Sequence, residues 1–128
     1  MLELPRRGVS PDVIGDIVPL LGEQGVLLVQ EAVDKVVLPE SVARVAVDVV
    51  RRTRELPGVT LGAGPRAMIH VVVGSKARAL LHGRSEATAE DVLDVALGAL
   101  PHRVLSDGDP AAVVEQAVRE AKQKHASA

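Results

Sequence analysis

The clearest periodicity in the chain lies between Glu40 and Glu55, where Val42, Val45, Ala46, Val49, Val50 and Thr53 recur at i, i+3, i+4, i+7, i+8 and i+11. That spacing lines one face of a 3.6-residue helix and predicts an amphipathic α-helix with its stripe on a core. Arg44, Asp48, Arg51 and Arg52 fall on the opposite side. Leu56-Pro57-Gly58 supplies a helix stop, and Val59-Thr60-Leu61 reads as extended or irregular. The next run, Pro65 to about His82, is the most apolar. Met68, Ile69, Val72, Val73, Ala77, Leu80 and Leu81 are expected to face inward, which would put this helix at the centre of the domain. Arg66, His70, Gly74 and Arg78 form a drifting polar line at spacing four.

Weaker patterns flank these two. A helix is expected over Glu23 to Val33, with Val26, Val29, Gln30 and Val33 on one side. Val36-Val37-Leu38 reads as a brief extended segment, because Pro39 disfavours helical geometry in the residue before it. Thr88-Ala89-Glu90-Asp91 forms a capping-box-like start for a helix carrying Val92, Val95, Ala96 and Ala99 and ending near Pro101. A last helix from Pro110 to about Lys124 places Val114, Ala117, Val118 and Ala121 at helical spacing. Ser10 and Pro11 suit the start of a short helix that Pro19 and Gly22 break. The expected organisation is a linker or disordered lead-in over residues 1–10, a helical domain over 11–105, and a C-terminal helix with a fraying tail over 106–128. Five or six helices without strand pairs make the fold class all-α, a small helical bundle.

Composition narrows what such a bundle can do. The 128 residues contain no Phe, Tyr or Trp, so burial must come from Val, Leu, Ile and Ala at about 0.8 kcal/mol per methylene. Without aromatic platforms, and with 15 basic against 17 acidic residues, the chain lacks both the stacking surfaces and the positive field of a nucleic-acid binder. Zero cysteines exclude thiolate metal sites and a cysteine nucleophile. No pair among His70, His82, His102 and His125 has the spacing of a helical zinc site, so no metal is expected. No apolar stretch approaches a membrane span and the start lacks a signal-peptide core, which reads as a soluble, cytoplasmic chain. There is no G-x-S-x-G elbow and no G-x-x-x-x-G-K-[ST] loop. The chain alone is therefore expected to be catalytically inactive.

Two constellations remain. Arg51, Arg52 and Arg54 cluster at the end of the Glu40–Glu55 helix, either as a solvated face or as a contact for a partner. The second is Gly62-Ala63-Gly64-Pro65-Arg66-Ala67, which puts an arginine in the first turn of a helix. A helix N-terminus carries roughly half a positive charge, so anions rather than cations are welcome there. Arg66 either is merely solvated at the end of a glycine loop or reaches for a bound anion.

Thr53-Arg54-Glu55-Leu56-Pro57-Gly58-Val59, Leu61-Gly62-Ala63-Gly64-Pro65-Arg66-Ala67, Ala77-Arg78-Ala79-Leu80-Leu81-His82-Gly83-Arg84, Ala87-Thr88-Ala89-Glu90-Asp91-Val92 and Leu100-Pro101-His102-Arg103-Val104 follow one another in the chain. In order and spacing, from about Val36 to Leu105, they resemble the C-terminal helical lid of MoxR-type AAA+ ATPases, to which the lid of the magnesium-chelatase ATPase subunit is related. Gly64 stands where the family usually has serine, Ala87 and Ala89 replace valine and proline, and Pro101 replaces an arginine. The resemblance implies an AAA+ lid fold. It also implies that Arg66, supported by Gly62, Gly64 and Pro65, is a second-sensor arginine contacting the nucleotide. The ATP and Mg²⁺ would be bound in a separate core domain of the same or a neighbouring subunit, the parent being a chaperone-like ATP hydrolase, expected as a hexameric ring. Its client is not implied. The alternative reading is a free-standing helical interaction module without nucleotide chemistry, docking a partner through Arg51, Arg52, Arg54 and the last helix.

Overall fold

The computed structural model describes residues 17–126, so the lead-in, the short helix expected from Pro11 and the last two residues of the tail lie outside the described residues. The chain divides into two compact units, 1–30 and 31–128. Helix α1 spans Glu23–Lys35 and buries none of its residues. In the second unit α2 spans Glu40–Glu55, β1 Val59–Leu61, α3 Pro65–Leu81 and α4 Ala89–Ala99. A 3-10 turn at Pro101–Arg103, β2 at Leu105–Ser106 and α5 at Pro110–Ala126 complete it.

Helix α2 buries Val42, Val45, Ala46, Val49, Val50 and Thr53, the six positions of the sequence stripe. They pack with Leu56, Ala63, Ala67, Val71, Val92, Ala96, Leu100, Val104, Val114, Ala117, Val118 and Ala121 into one core. Helix α2 is its centre, with α3, α4 and α5 around it. With no aromatic side chain to fill space, α2 and its neighbours approach on valine and alanine, and Leu100 is the largest fully buried side chain. Helix α5, set apart by sequence as a terminal element, contributes Val114, Ala117, Val118 and Ala121 to this same core. A smaller cluster joins Val36, Ala79 and Ala87. There Val37, in the extended segment before Pro39, forms a parallel bridge with Glu86.

Helix α3 corrects the sequence reading. Its buried face is Ala67, Val71, Ser75 and Ala79, while Ile69, Val73 and Leu81, expected inside, are 63%, 50% and 86% exposed. Met68, Val72, Ala77 and Leu80 are only half-buried, and α3 flanks the core instead of forming its centre. The reason is steric. Apolar residues occur all round this helix, so periodicity does not choose a face, and the small residues let α3 lie close on its neighbours. The polar line dissolves for the same reason: a Cβ added to Gly74 would stand 2.7 Å from Val95 Cγ1. Ser75, fully buried, donates to the Val71 carbonyl at 2.6 Å and leaves no hydroxyl unpaired.

Gly74→Ala is therefore expected to lose stability even though alanine gains about 1 kcal/mol of helix propensity over glycine. Val95 is β-branched and stiff at χ1, so relief must come from moving α4, with a net loss of about 1–2 kcal/mol. A lower thermal midpoint for Gly74→Ala, restored in the Gly74→Ala/Val95→Ala pair, is the expected pattern. An equal loss in both backgrounds would show that the α3–α4 approach is not what holds glycine there.

The absence of strand pairs is also corrected. β1 and β2 form a two-stranded antiparallel sheet, pairing Val59 with Ser106 and Leu61 with Leu105 across an irregularity in register. Strands of three and two residues with mostly exposed side chains carry no period for a sequence to show. Their effect is positional: they hold the 3-10 turn beside the loop that opens α3.

Candidate functional site

The end of α2 builds the loop before Arg66. Buried Thr53 donates to the Val50 carbonyl at 2.6 Å and accepts from the Ala63 N–H at 3.1 Å. Arg54 Nε donates to the Ala63 carbonyl at 2.7 Å. Consecutive residues of α2 thus hold both backbone groups of Ala63, whose methyl is fully buried. Gly62 passes so close that a Cβ would meet Arg54 Cα at 2.6 Å and Arg54 N at 2.7 Å. The glycine is required by this backbone approach, not by a left-handed φ. Gly62→Ala is expected to displace the loop and cost about 1–3 kcal/mol. Proton–proton contacts between Thr53 and Ala63 read the displacement, and their persistence in a fully stable variant would rule this packing out.

From that anchor Gly64 takes an extended conformation and Pro65 opens α3 at its first position, with no side chain capping the helix. Gly64, lacking the hydroxyl usual in the resembling family, leaves the N-terminal amides free of a competing cap. Arg66 sits in this first turn, exposed, and among the described residues it has no hydrogen-bond or ion-pair partner.

Arg66 lines a groove of about 570 Å³ with Gly62, Gly64, Pro65, His102 and Arg103, bordered by Leu61 and Leu105 of the two strands. No carboxylate, hydroxyl or thiol is among its lining residues. Arg103, partly exposed, lines the groove, and its Nε is buried with no hydrogen-bond partner among the described residues. Two guanidiniums beside an open helix N-terminus favour an anion, and the groove is rich in N–H donors. A phosphate group fits this donor set. A Mg²⁺ ion does not, lacking oxygen ligands from the side chains here.

The second constellation separates. Arg52 Nε donates to Glu120 of α5, which raises the guanidinium's pKa from its ordinary value and lowers that of the Glu120 carboxyl. Arg54 holds Ala63, and exposed Arg51 stands 4.0 Å from Glu55. Arg51 and Arg52 still line one surface pocket with Asp48, Glu55 and Glu120, while Arg54 turns its Nε to the loop.

Sequence reasoning missed Asp91 as a structural centre. The carboxylate is fully buried and takes Arg84 bidentately, with both Nη–O distances 2.7 Å. Arg78 adds a further bond and bridges to Asp94 at 2.6 Å, while the Thr88 N–H donates to Asp91 at 2.8 Å. Arg84 above all, helped by Thr88 and Arg78 against the opposing effect of burial, holds this carboxyl well below the usual carboxylate range. The capping box was legible. Its two arginines lie seven and thirteen residues away, beyond any helical spacing rule. The turn at Gly83, with φ 70°, folds them back onto α4.

Residues 51–124 match the model of the AAA lid domain family. The chain belongs to the AAA lid domain family. A relative from Bacillus subtilis (strain 168), the uncharacterized protein YeaC, is 32% identical over 87 residues, covering 68% of this chain and 27% of YeaC. The fold is similar to the crystal structure of a "putative ATPase" from Cytophaga hutchinsonii, with a TM-score of 0.70 and 24% identity, over 95% of this chain and 41% of the other. This lid thus spans about a quarter of YeaC's length and under half of the other protein's. It has the fold of an AAA lid domain, and no nucleotide-binding core is among the elements described. Among the described residues no helix is long and apolar enough to cross a membrane, and no group of three His, Cys, Asp or Glu could hold a metal.

Proposed function

We propose that this lid belongs to a MoxR-type, chaperone-like AAA+ ATPase of the cytoplasm. In it, Arg66 is the second sensor, reaching the γ-phosphate of ATP bound with Mg²⁺ in a core domain of the same or a neighbouring subunit of a hexameric ring. The observation that supports it most is the exposed Arg66, without a partner among the described residues, at an uncapped helix N-terminus on a loop tied to α2 from both sides. A guanidinium is permanently charged and forked, so it bonds two phosphate oxygens and loses those bonds when the γ-phosphate leaves. Because Ala63 is fastened to α2, a pull on Arg66 is transmitted to the whole helical core, and the lid turns as a rigid body.

The interaction-module alternative finds less support, since Arg52 and Arg54 are committed to Glu120 and Ala63. The two readings separate in variants of the full-length protein. Arg66→Ala and Arg66→Lys both slow hydrolysis if the arginine is a sensor, the lysine less. Arg51→Ala is silent in that case, and becomes the damaging substitution if the arginine cluster is the functional surface.

A further inference from the structure

We infer that Arg103 is a second phosphate contact, so that the groove beside α3 closes on a polyphosphate with two guanidiniums, Arg66 from the helix and Arg103 from the 3-10 turn. The inference rests on the lid reading of Arg66 and adds a residue to it. Arg103 lines the same groove as Arg66, although the two are far apart in the chain. β1 and β2 bring them there by pairing Leu61 with Leu105. Burying a charged N–H without an acceptor is unfavourable, and such groups in native proteins find a partner or a ligand. Arg103 Nε is buried and has no hydrogen-bond partner among the described residues. Nearby cations repel one another, and among the groove's lining residues there is no carboxylate to offset them. An anion of two or more charges relieves the repulsion and offers oxygens to both guanidiniums. A triphosphate chain offers oxygens to more than one guanidinium, whereas a single carboxylate satisfies one fork.

The division of labour follows from the anchoring. Arg66 lies exposed and can follow the γ-phosphate, while Arg103 is fixed by the turn, whose backbone closes through the Arg103 N–H to the Leu100 carbonyl at 2.9 Å. Arg103 then acts on binding of the phosphate chain, and Arg66 on sensing its terminal group.

The test is a nitrogen-15 titration of the 128-residue chain with inorganic tripolyphosphate, at mildly acidic pH and low temperature, following arginine Nε–H resonances. Chloride at matched ionic strength and a short acidic peptide serve as controls. The Nε–H signals of both Arg66 and Arg103 are expected to move along one saturating curve, with Arg103→Met, which keeps the apolar stem, weakening binding about tenfold. If Arg66 moves and Arg103 does not, the second contact is overturned and the sensor reading stands. If the acidic peptide or chloride shifts Arg103 as strongly as tripolyphosphate does, the groove is not a polyphosphate site and the inference falls. If neither arginine moves, it falls as well, and the sensor reading is judged by full-length hydrolysis. The wild-type spectra carry the test even where Arg103→Met fails to fold.

Discussion

Asp91→Asn is expected to destabilise the lid by about 2–3 kcal/mol, a large share of a small domain's total stability. The carboxylate is fully buried and is the shared acceptor of Arg84, Arg78 and the Thr88 N–H. Asparagine keeps the shape but removes the charge, leaving two guanidiniums facing a neutral amide. Their side chains remain 25% and 35% exposed, so water compensates part of the loss and the cost lies below that of a fully enclosed pair. Denaturation in urea should show a lower midpoint at an unchanged slope. Arg44→Ala is the contrast: its Glu40 pair is 70% and 80% exposed and should be worth well under 1 kcal/mol.

The same carboxylate sets an acid limit. Its folded pKa is depressed, so at pH values where the unfolded chain begins to take up the proton, near about 4, the folded lid still holds the anion. The stabilisation is full above that range and is lost as pH falls through it toward the folded value. Glu120, depressed chiefly by Arg52, acts in the same direction. At Asp48 burial opposes ionisation, but Lys124 and His125 outweigh it. Asp91→Asn should flatten the slope of stability against pH below about 4. A slope equal to wild type would place the acid sensitivity in the other two carboxylates.

On the proposed sensor role, Arg66→Ala in the full-length protein is expected to lower the kcat of ATP hydrolysis by about 10²-fold or more, the usual cost of removing one donor aimed at charge in the transition state. Folding should hardly change, because Arg66 is exposed and has no intramolecular partner among the described residues. This combination distinguishes it from Asp91→Asn, which weakens the fold first. Arg66→Lys keeps the charge but not the fork, and should recover only part of the rate. Full activity of Arg66→Ala would leave the arginine as a solvated surface residue.

Legibility followed how strongly each segment was patterned. In α2 and α5 polar residues break the apolar run at regular intervals, and the stripes read from sequence are the buried ones. In α3 the polar positions form only a drifting line with apolar residues all round it, and the choice of face fell to the small residues, Gly74 lying against Val95 and Ala67, Ser75 and Ala79 being buried. The strand pair depends on contacts between residues 59–61 and 105–106, which no local pattern encodes. At the candidate site the sequence placed Arg66 in the first turn of its helix and marked Gly62 as part of the loop. It did not reveal why Gly62 is glycine, since the Arg54 backbone beside it is brought there by the fold. Arg54, read as surface, is exposed and in addition holds the loop.

The most direct measurement is the distance between core and lid in the full-length ATPase, read by paired spin labels. One label sits on exposed Lys122 of α5 and one on the core. In the wild type a non-hydrolysable ATP analogue should shorten and narrow the distance distribution relative to ADP, and in Arg66→Ala the analogue should leave it ADP-like. An analogue-dependent shift of the same size in both proteins would contradict the account, because the lid would then be turned by something other than the arginine at the mouth of α3.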